Sequence, residues 1–279
     1  VYKRQRWRRM LHDFSYHRPE TLAEALDFLA QHGPDTAVFS GGTDLFVVIR
    51  AGLAKPAHVL DLKGIDELHQ LEWSDSEGLS IGACVTVNQL VESTDVQTQF
   101  PILHIAGEEL ATFQLRNRAT VIGNIVTASP CGDMSGPLYI LGGEVVLRSA
   151  KGERRLPLGE FITGVKRTMI QPDEVVTRIV VPPVWAQAPG GYEKLKRIKG
   201  HDLGVVSVAM IKHRKAIRCA VSSAAPTPVL LPDFAPDTAV EAIQKKAQEM
   251  ISPIDDVRAT AEYRSFMVDE FVRRLMERI

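Results

Sequence analysis

The stretch Arg116-Asn117-Arg118-Ala119-Thr120-Val121-Ile122-Gly123-Asn124, which runs on through Ala128-Ser129-Pro130 to Asp133, decides how this chain reads, together with the earlier Ser40-Gly41-Gly42-Thr43-Asp44. Each is a turn of small residues with hydroxyl and amide side chains close by. A diphosphate needs backbone N–H groups at short range, and glycine lets the chain approach and take positive φ. Serine, threonine and asparagine add neutral donors. As a pair, the two segments suggest a clamp on a diphosphate-bearing cofactor; singly, each also reads as an ordinary tight turn. Neither is a Walker loop, because no Gly-Lys-Ser/Thr follows Gly42 or Gly123, and neither fits G-x-G-x-x-G.

The rest of the composition narrows the field. At 279 residues there is chain for one large domain or two modest ones. A hydrophobic fraction of 45% with a formal net charge of -1 gives no sign of a nucleic-acid or membrane partner. No apolar run nears the roughly 20 residues of a membrane span, and no signal-peptide pattern is present, so a cytoplasmic protein is expected. Cys84, Cys131 and Cys219 are far apart, with no C-x-x-C and no His/Cys cluster. They read as reduced thiols packed as small hydrophobes, with no metal or iron–sulfur site in this chain. Residues 1–9 carry Lys3, Arg4, Arg6, Arg8 and Arg9 with no acid, ahead of Met10. They read either as a basic arm or as a non-native leader with the natural start at Met10, and the leader is the expectation.

Along the chain, Thr21-Leu22-Ala23-Glu24 is a capping box, and Leu22, Ala25, Leu26 and Leu29 follow with helical spacing up to Gly33. Ala37-Val38-Phe39 reads as a short buried strand that delivers Ser40. Thr43 or Asp44 caps a helix over residues 45–51, which Gly52 stops. Residues 58–62 are strand-like, and residues 68–73 and 79–84 flank an Asp75-Ser76-Glu77-Gly78 hairpin. Thr86-Val87-Asn88-Gln89 is a second capping box, and residues 101–110 continue helical. Residues 144–148 and 154–156 bracket a Lys151-Gly152-Glu153 hairpin, and residues 174–181 form a β-branched strand. Pro182-Pro183 and Pro189-Gly190-Gly191 mark a linker. Strands near Lys194, 205–210 and 217–222 follow, then helices over 240–250 and 259–279. The pattern is α+β with two lobes.

Six motifs in order resemble one family: Ser40-Gly41-Gly42-Thr43-Asp44-Leu45, Ile81-Gly82-Ala83 with Thr86, Arg116-Asn117 through Asn124, Ala128-Ser129-Pro130 with Asp133, Tyr192-Glu193-Lys194, and residues 253–264. They resemble the FAD-binding medium subunit of molybdenum hydroxylases, of the xanthine dehydrogenase and aerobic carbon monoxide dehydrogenase type. The likeness runs from about Met10 to the C-terminus. It implies an α+β, two-subdomain FAD-binding fold of the vanillyl-alcohol-oxidase type over residues 10–185, followed by a small α+β C-terminal domain over residues 186–279. It implies a pyrophosphate loop at Ser40, Gly41, Gly42, Thr43 and Asp44, and a second loop at Thr120, Val121, Ile122, Gly123 and Asn124. It further implies Asp133 on cofactor hydroxyls with Thr127 beside it, Lys194 near the flavin ring and Tyr192 next to that lysine. The family's second loop is usually Thr-Ile-Gly-Gly-Asn, and Ile122 stands at the first of those glycines.

Several residues also have plainer readings. Asp133 suits a cap for the helix running toward Leu141. Arg116 and Arg118 suit either a solvated pair or a phosphate contact. Lys194, among Lys196, Arg197 and Lys199, suits an exposed basic strand, whereas near a flavin its charge would stabilise the reduced, anionic ring. Tyr192 and Leu110 suit core packing as well as cofactor contact. Tyr263 and Arg264 read as structural. His201-Asp202 are adjacent in an extended segment and so point apart, which argues against a dyad. No catalytic acid, base or nucleophile stands out.

The resemblance implies an oxidoreductase subunit that binds FAD and receives electrons from two [2Fe–2S] clusters in a small subunit. Substrate oxidation takes place at molybdopterin in a large subunit, and NAD or oxygen is among the acceptors. The lack of a cysteine-bearing insertion argues against the branch whose flavin subunit holds its own [4Fe–4S] cluster. The alternatives are a stand-alone flavin oxidase of the same fold and a non-catalytic module that has lost FAD, for which Ile122 is the best support.

Overall fold

In the computed structural model, which describes residues 12–279, the chain opens with strand β1 (Ser15–His17) and helix α1 (Leu22–His32). The expected leader at residues 1–9 lies outside the described residues. Thr21 caps α1 by accepting from the Glu24 amide at 3.2 Å, while the Glu24 carboxylate reaches one residue further back than a capping box requires, to the amide of Glu20. Strand β2 (Thr36–Phe39), helix α2 (Leu45–Arg50) and strand β3 (His58–Asp61) complete a parallel sheet of order β1-β3-β2. Parallel neighbours need a crossover, and α1 and α2 supply it.

The hairpin read from Asp75 to Gly78 is present as β4 (Leu71–Ser74) and β5 (Gly78–Gly82), shorter at both ends than expected. Leu68 falls in a 3₁₀ turn, and the Cys84 amide donates to the Leu68 carbonyl at 2.8 Å, which turns the chain out of the ladder. The helical region that follows is broken into α3 (Val87–Glu92), α4 (Thr94–Gln99) and α5 (Pro101–Glu109), because Ser93 caps α4 and Pro101 can only start a helix. The capping box at Thr86 and Gln89 is complete. Short helices α6 (Phe113–Arg116), α7 (Val121–Val126) and α8 (Ser135–Ile140) lead to β6 (Glu144–Ser149) and β7 (Gly152–Pro157). Then come α9 (Leu158–Phe161), the small ribbon β8 (Ile162–Gly164) and β9 (Arg167–Thr168), and β10 (Val175–Val181). β10 is central in an antiparallel sheet of order β4-β5-β10-β6-β7, which explains its nearly unbroken β-branched sequence.

Past the proline-rich segment, β11 (Gly190–Leu195), β12 (Val206–Lys212), β13 (Ile217–Ser222) and β14 (Val229–Leu230) form an antiparallel sheet in chain order. Helix α11 (Ala261–Arg278) packs on it, and α10 (Val240–Met250) packs against α11. Alternation along the strands sends Val208, Met210 and Val221 to the core under α11, and Tyr192, Ala209 and Ala220 to the larger core shared with the preceding sheet. One sheet thereby belongs to two cores. Cys84 and Cys219 are free and buried, and burial pushes both thiols up to about 12.

On the first sheet, three histidines gather on Phe28. The His17 ring lies 4.2 Å from Phe28 and 5.3 Å from His58, and His32 lies 4.9 Å from His58. His17 Nε2 and His58 Nδ1 are buried with no hydrogen-bond partner among the described residues. Burial, then repulsion from His58 and His32, lowers the pKa of His17. The unfolded chain therefore takes up that proton more readily than the native one. Stability is held above the ordinary histidine value of about 6.5 and is lost as pH falls from there through the lower native value. Urea midpoints are expected to drop between pH 7 and pH 5, and His17→Phe to flatten that slope. In the main core, Phe161 is fully buried. Phe161→Ala is expected to cost about 3–5 kcal/mol in the same unfolding experiment.

Candidate functional site

Strand β2 ends at Phe39 and releases Ser40-Gly41-Gly42 into a turn with Gly42 at φ 75°. Gly41 has no room for a side chain: a Cβ there would lie 2.3 Å from the carbonyl oxygen of Arg118. The two segments that opened the sequence reading are thus in direct backbone contact. The hydroxyls of Ser40 and Thr120 are 3.1 Å apart, and Thr127 Oγ1 lies 3.4 Å from Asp44 Oδ2. The amides of Gly41, Gly42, Thr43 and Asp44 donate to no acceptor among the described residues. Asp44 sits at the N-cap position of α2 without capping it through its side chain, and Thr43 does not cap it either.

The second segment, expected as a loop, is the first turn of α7. Thr120 caps that helix, accepting from the Gly123 amide at 3.0 Å. Ile122 therefore has helical backbone, which any residue adopts, and its side chain is buried. The missing glycine leaves the local conformation intact. Asn124 Oδ1 accepts from the Met134 amide at 3.2 Å and ties α7 to the start of α8.

Between these elements lies a cleft of about 660 Å³, within the range of about 300–1,000 Å³ usual for small-molecule and cofactor sites. Ser40, Gly41, Gly42, Thr43 and Asp44 form one side of it, and Thr120, Gly123, Asn124 and Thr127 adjoin them. Leu110, the C-cap residue of α5, also lines it. Asp133 also lines the cleft and does not cap α8, whose N-cap position is taken by Met134. Its carboxylate accepts from the Tyr192 hydroxyl at 2.8 Å and from Lys194 Nζ at 2.9 Å. Tyr192 and Lys194 stand behind Asp133 and are not part of the cleft lining. Lys194 is not an exposed strand residue: its side chain is 1% exposed, and Nζ also donates to the Glu109 carbonyl at 3.0 Å. Burial pushes the Asp133 carboxyl up while the charge of Lys194 pulls against it, and burial together with Asp133 drives the Tyr192 phenol well above its ordinary value.

Some cleft residues had no signal in the sequence. Ala111, on the wall, and Ala128, just behind it, hold φ of 50° and 47°, a left-handed conformation that alanine does not advertise. Cys131 lines the cleft with Sγ 3.1 Å from Arg258 Nη1, a contact that spans 127 positions. His201, Asp202 and Leu203 reach the same cleft from the loop after β11. Asp202 is no partner for His201. Its carboxylate takes Arg197 Nε at 3.1 Å and Nη2 at 3.0 Å, which lowers it to about 2. Arg116 is neither solvated nor aimed at a phosphate, since it is engaged by carbonyls of its own chain at 2.9 and 3.1 Å. Turn amides and hydroxyls that can donate, one buried carboxylate that accepts, and an apolar wall suit a diphosphate joined to a polyol and a flat ring.

The sequence matches the family described as FAD binding domain in molybdopterin dehydrogenase over residues 12–184. The carbon monoxide dehydrogenase medium chain of Hydrogenophaga pseudoflava is 31% identical over 277 residues, covering 94% of this chain and 96% of its own. The xanthine dehydrogenase FAD-binding subunit of Escherichia coli O157:H7 is 27% identical, covering 94% of each chain. Among solved structures, a carbon monoxide dehydrogenase from Hydrogenophaga pseudoflava superposes with a TM-score of 0.89 at 30% identity, over 95% of this chain and 96% of that one. With its α+β fold, its two glycine turns and its cleft in that company, the chain belongs to the family of FAD-binding domains of molybdopterin dehydrogenases, as an FAD-binding oxidoreductase subunit.

Proposed function

We propose that this chain is the electron-transferring flavin subunit of a molybdenum hydroxylase complex in the cytoplasm. It takes electrons from [2Fe–2S] clusters in a small partner subunit and passes them through FAD to an acceptor such as NAD or oxygen. A molybdopterin-binding large subunit oxidises the substrate. Residues 10–185 form the FAD-binding domain and residues 186–279 the C-terminal domain.

The observation that carries this reading is the pairing of two distant turns around one cleft, with four consecutive amides left without acceptors among the described residues. Bound FAD supplies two-electron and one-electron redox chemistry; the protein supplies binding, orientation and electrostatics. The amides of Gly41 to Asp44 and the hydroxyls of Ser40 and Thr120 hold the diphosphate. Thr127, Asn124 and Asp133 bind cofactor hydroxyls, with Lys194 and Tyr192 fixing the rotamer and charge of Asp133. Leu110 gives the ring an apolar wall that excludes water. Among the described residues of the cleft, none is assigned the part of a catalytic acid or base.

Two further facts support a division of labour among subunits. The chain has three cysteines, too few for one Cys₄ cluster, which supports placing the [2Fe–2S] clusters in a partner. Relatives of similar coverage carry different substrate names, carbon monoxide, xanthine and nicotine among them, so substrate choice lies outside this chain. No helix among the described residues is long and apolar enough to cross a membrane.

The purified chain supplied with FAD is expected to show flavin absorbance near about 450 nm. That band should bleach with the complex's substrate only when the molybdopterin and iron–sulfur subunits are added. A chain that stays colourless overturns the reading, and bleaching by substrate without partners replaces it with an oxidase. Gly41→Val is expected to abolish flavin retention, because its side chain meets a backbone carbonyl that cannot move aside. Gly123→Val should do the same by displacing the Thr120 hydroxyl, 2.7 Å from the new Cβ. Both are checked by the ratio of flavin to protein absorbance after gel filtration.

A further inference from the structure

The last carbonyls of α5 face a concentration of positive charge. Arg116 Nη1 donates to the Glu108 carbonyl at 2.9 Å and to the Leu110 carbonyl at 3.1 Å, and Lys194 Nζ takes the Glu109 carbonyl between them at 3.0 Å. A helix C-terminus is a negative pole with unsatisfied acceptors, so two cations there satisfy the acceptors and offset the charge. The other arm of the same guanidinium points elsewhere: Arg116 Nε donates to Asn88 Oδ1 at 2.9 Å. Asn88 is buried in α3, and its Nδ2 donates to the Phe113 carbonyl at 2.9 Å and to Asn117 Oδ1 at 2.8 Å. One arginine thus grips both ends of the segment from Glu108 to Asn117. Within that segment lie Ala111, in left-handed backbone, and the cleft-lining Leu110 and Leu115. Left-handed alanine persists only where its surroundings hold it.

We propose that Arg116 is a positioning residue for the cofactor. By fastening the end of α5 and, through Asn88, the turn of α6, it holds Leu110, Ala111 and Leu115 as the wall against which FAD lies. The inference rests on the reading of this cleft as the FAD site. The role demands a planar fork that donates in two directions at once, which a lysine does not provide. Arg116 touches no cleft surface itself in this scheme and acts through the segment that it shapes.

The test compares the full-length wild type with Arg116→Met, Arg116→Lys and, as a destabilised control in the C-terminal core, Ile243→Ala. FAD dissociation constants, the visible circular dichroism of the bound flavin and urea stability of the apo chains are measured. Wild-type binding reads the cleft assignment by itself, and a wild type that takes up no FAD overturns that assignment. Given wild-type binding, Arg116→Met is expected to weaken FAD about tenfold or more, as loss of several charged hydrogen bonds implies, and to change the flavin dichroism. Arg116→Lys should fall between the two, and Ile243→Ala should lose stability with wild-type dichroism and affinity. The proposal is overturned if Arg116→Met binds within twofold of wild type with the same spectrum, or if Ile243→Ala weakens FAD equally at equal loss of stability. Should Arg116→Met fail to fold, Arg116→Lys decides: severalfold weaker binding with an altered spectrum supports the role, and wild-type values overturn it.

Discussion

Everything in the cleft depends on one backbone contact, the approach of Gly41 to the carbonyl of Arg118. Only a residue without a Cβ lets those strands of chain meet, and their meeting sets Ser40 beside Thr120 at 3.1 Å. The parallel sheet delivers the first turn, and the antiparallel sheet with its short helices delivers the second. The contact is what makes one site of two subdomains. The turn amides that the contact brings to the cleft find no acceptor among the described residues.

The C-terminal domain is joined to that site by buried charge. Lys194 and Tyr192 on β11 reach Asp133, so one carboxylate both lines the cleft and ties β11 to it. A second network runs from α11. Arg264, 1% exposed, donates to Asp256 at 2.7 Å and to the Ser223 carbonyl at 3.1 Å, and Arg258 adds a 2.7 Å pair to the same Asp256 while touching Cys131 in the cleft. Burial would raise the Asp256 carboxyl, but the Arg258 bonds and two backbone amides hold it below its usual range. Such pairs are poor sources of net stability, since desolvation offsets most of the attraction. Their geometry is demanding, and that fixes how the C-terminal sheet meets the cleft.

Element types were legible because they rest on local physics. The Thr21 cap, the Thr86 capping box, the β-branched run of β10 and the alternation in β12 and β13 all depend on neighbours within a few residues. Boundaries were less legible where a distant group intervened, as at β5, which Leu68 turns aside, and at α7, which a glycine-bearing sequence disguised as a loop. At Ile122 the backbone is helical, which any residue adopts, whereas Gly123 in the same turn is held to glycine by the Thr120 hydroxyl.

From the sequence alone came the α+β class, the ordered motifs and a paired turn suited to a diphosphate, since each follows from residue types and short spacings, while FAD followed from the family that the motifs resemble. Tertiary structure alone decided that Lys194 is buried on Asp133, that Arg116 turns inward to Asn88 and the end of α5, and that Cys131 meets Arg258 across 127 positions. A charged side chain carries no mark in the sequence of which partner it will find. That choice is made by burial, where an unpaired charge is too costly to leave, and burial exists only once distant segments have packed.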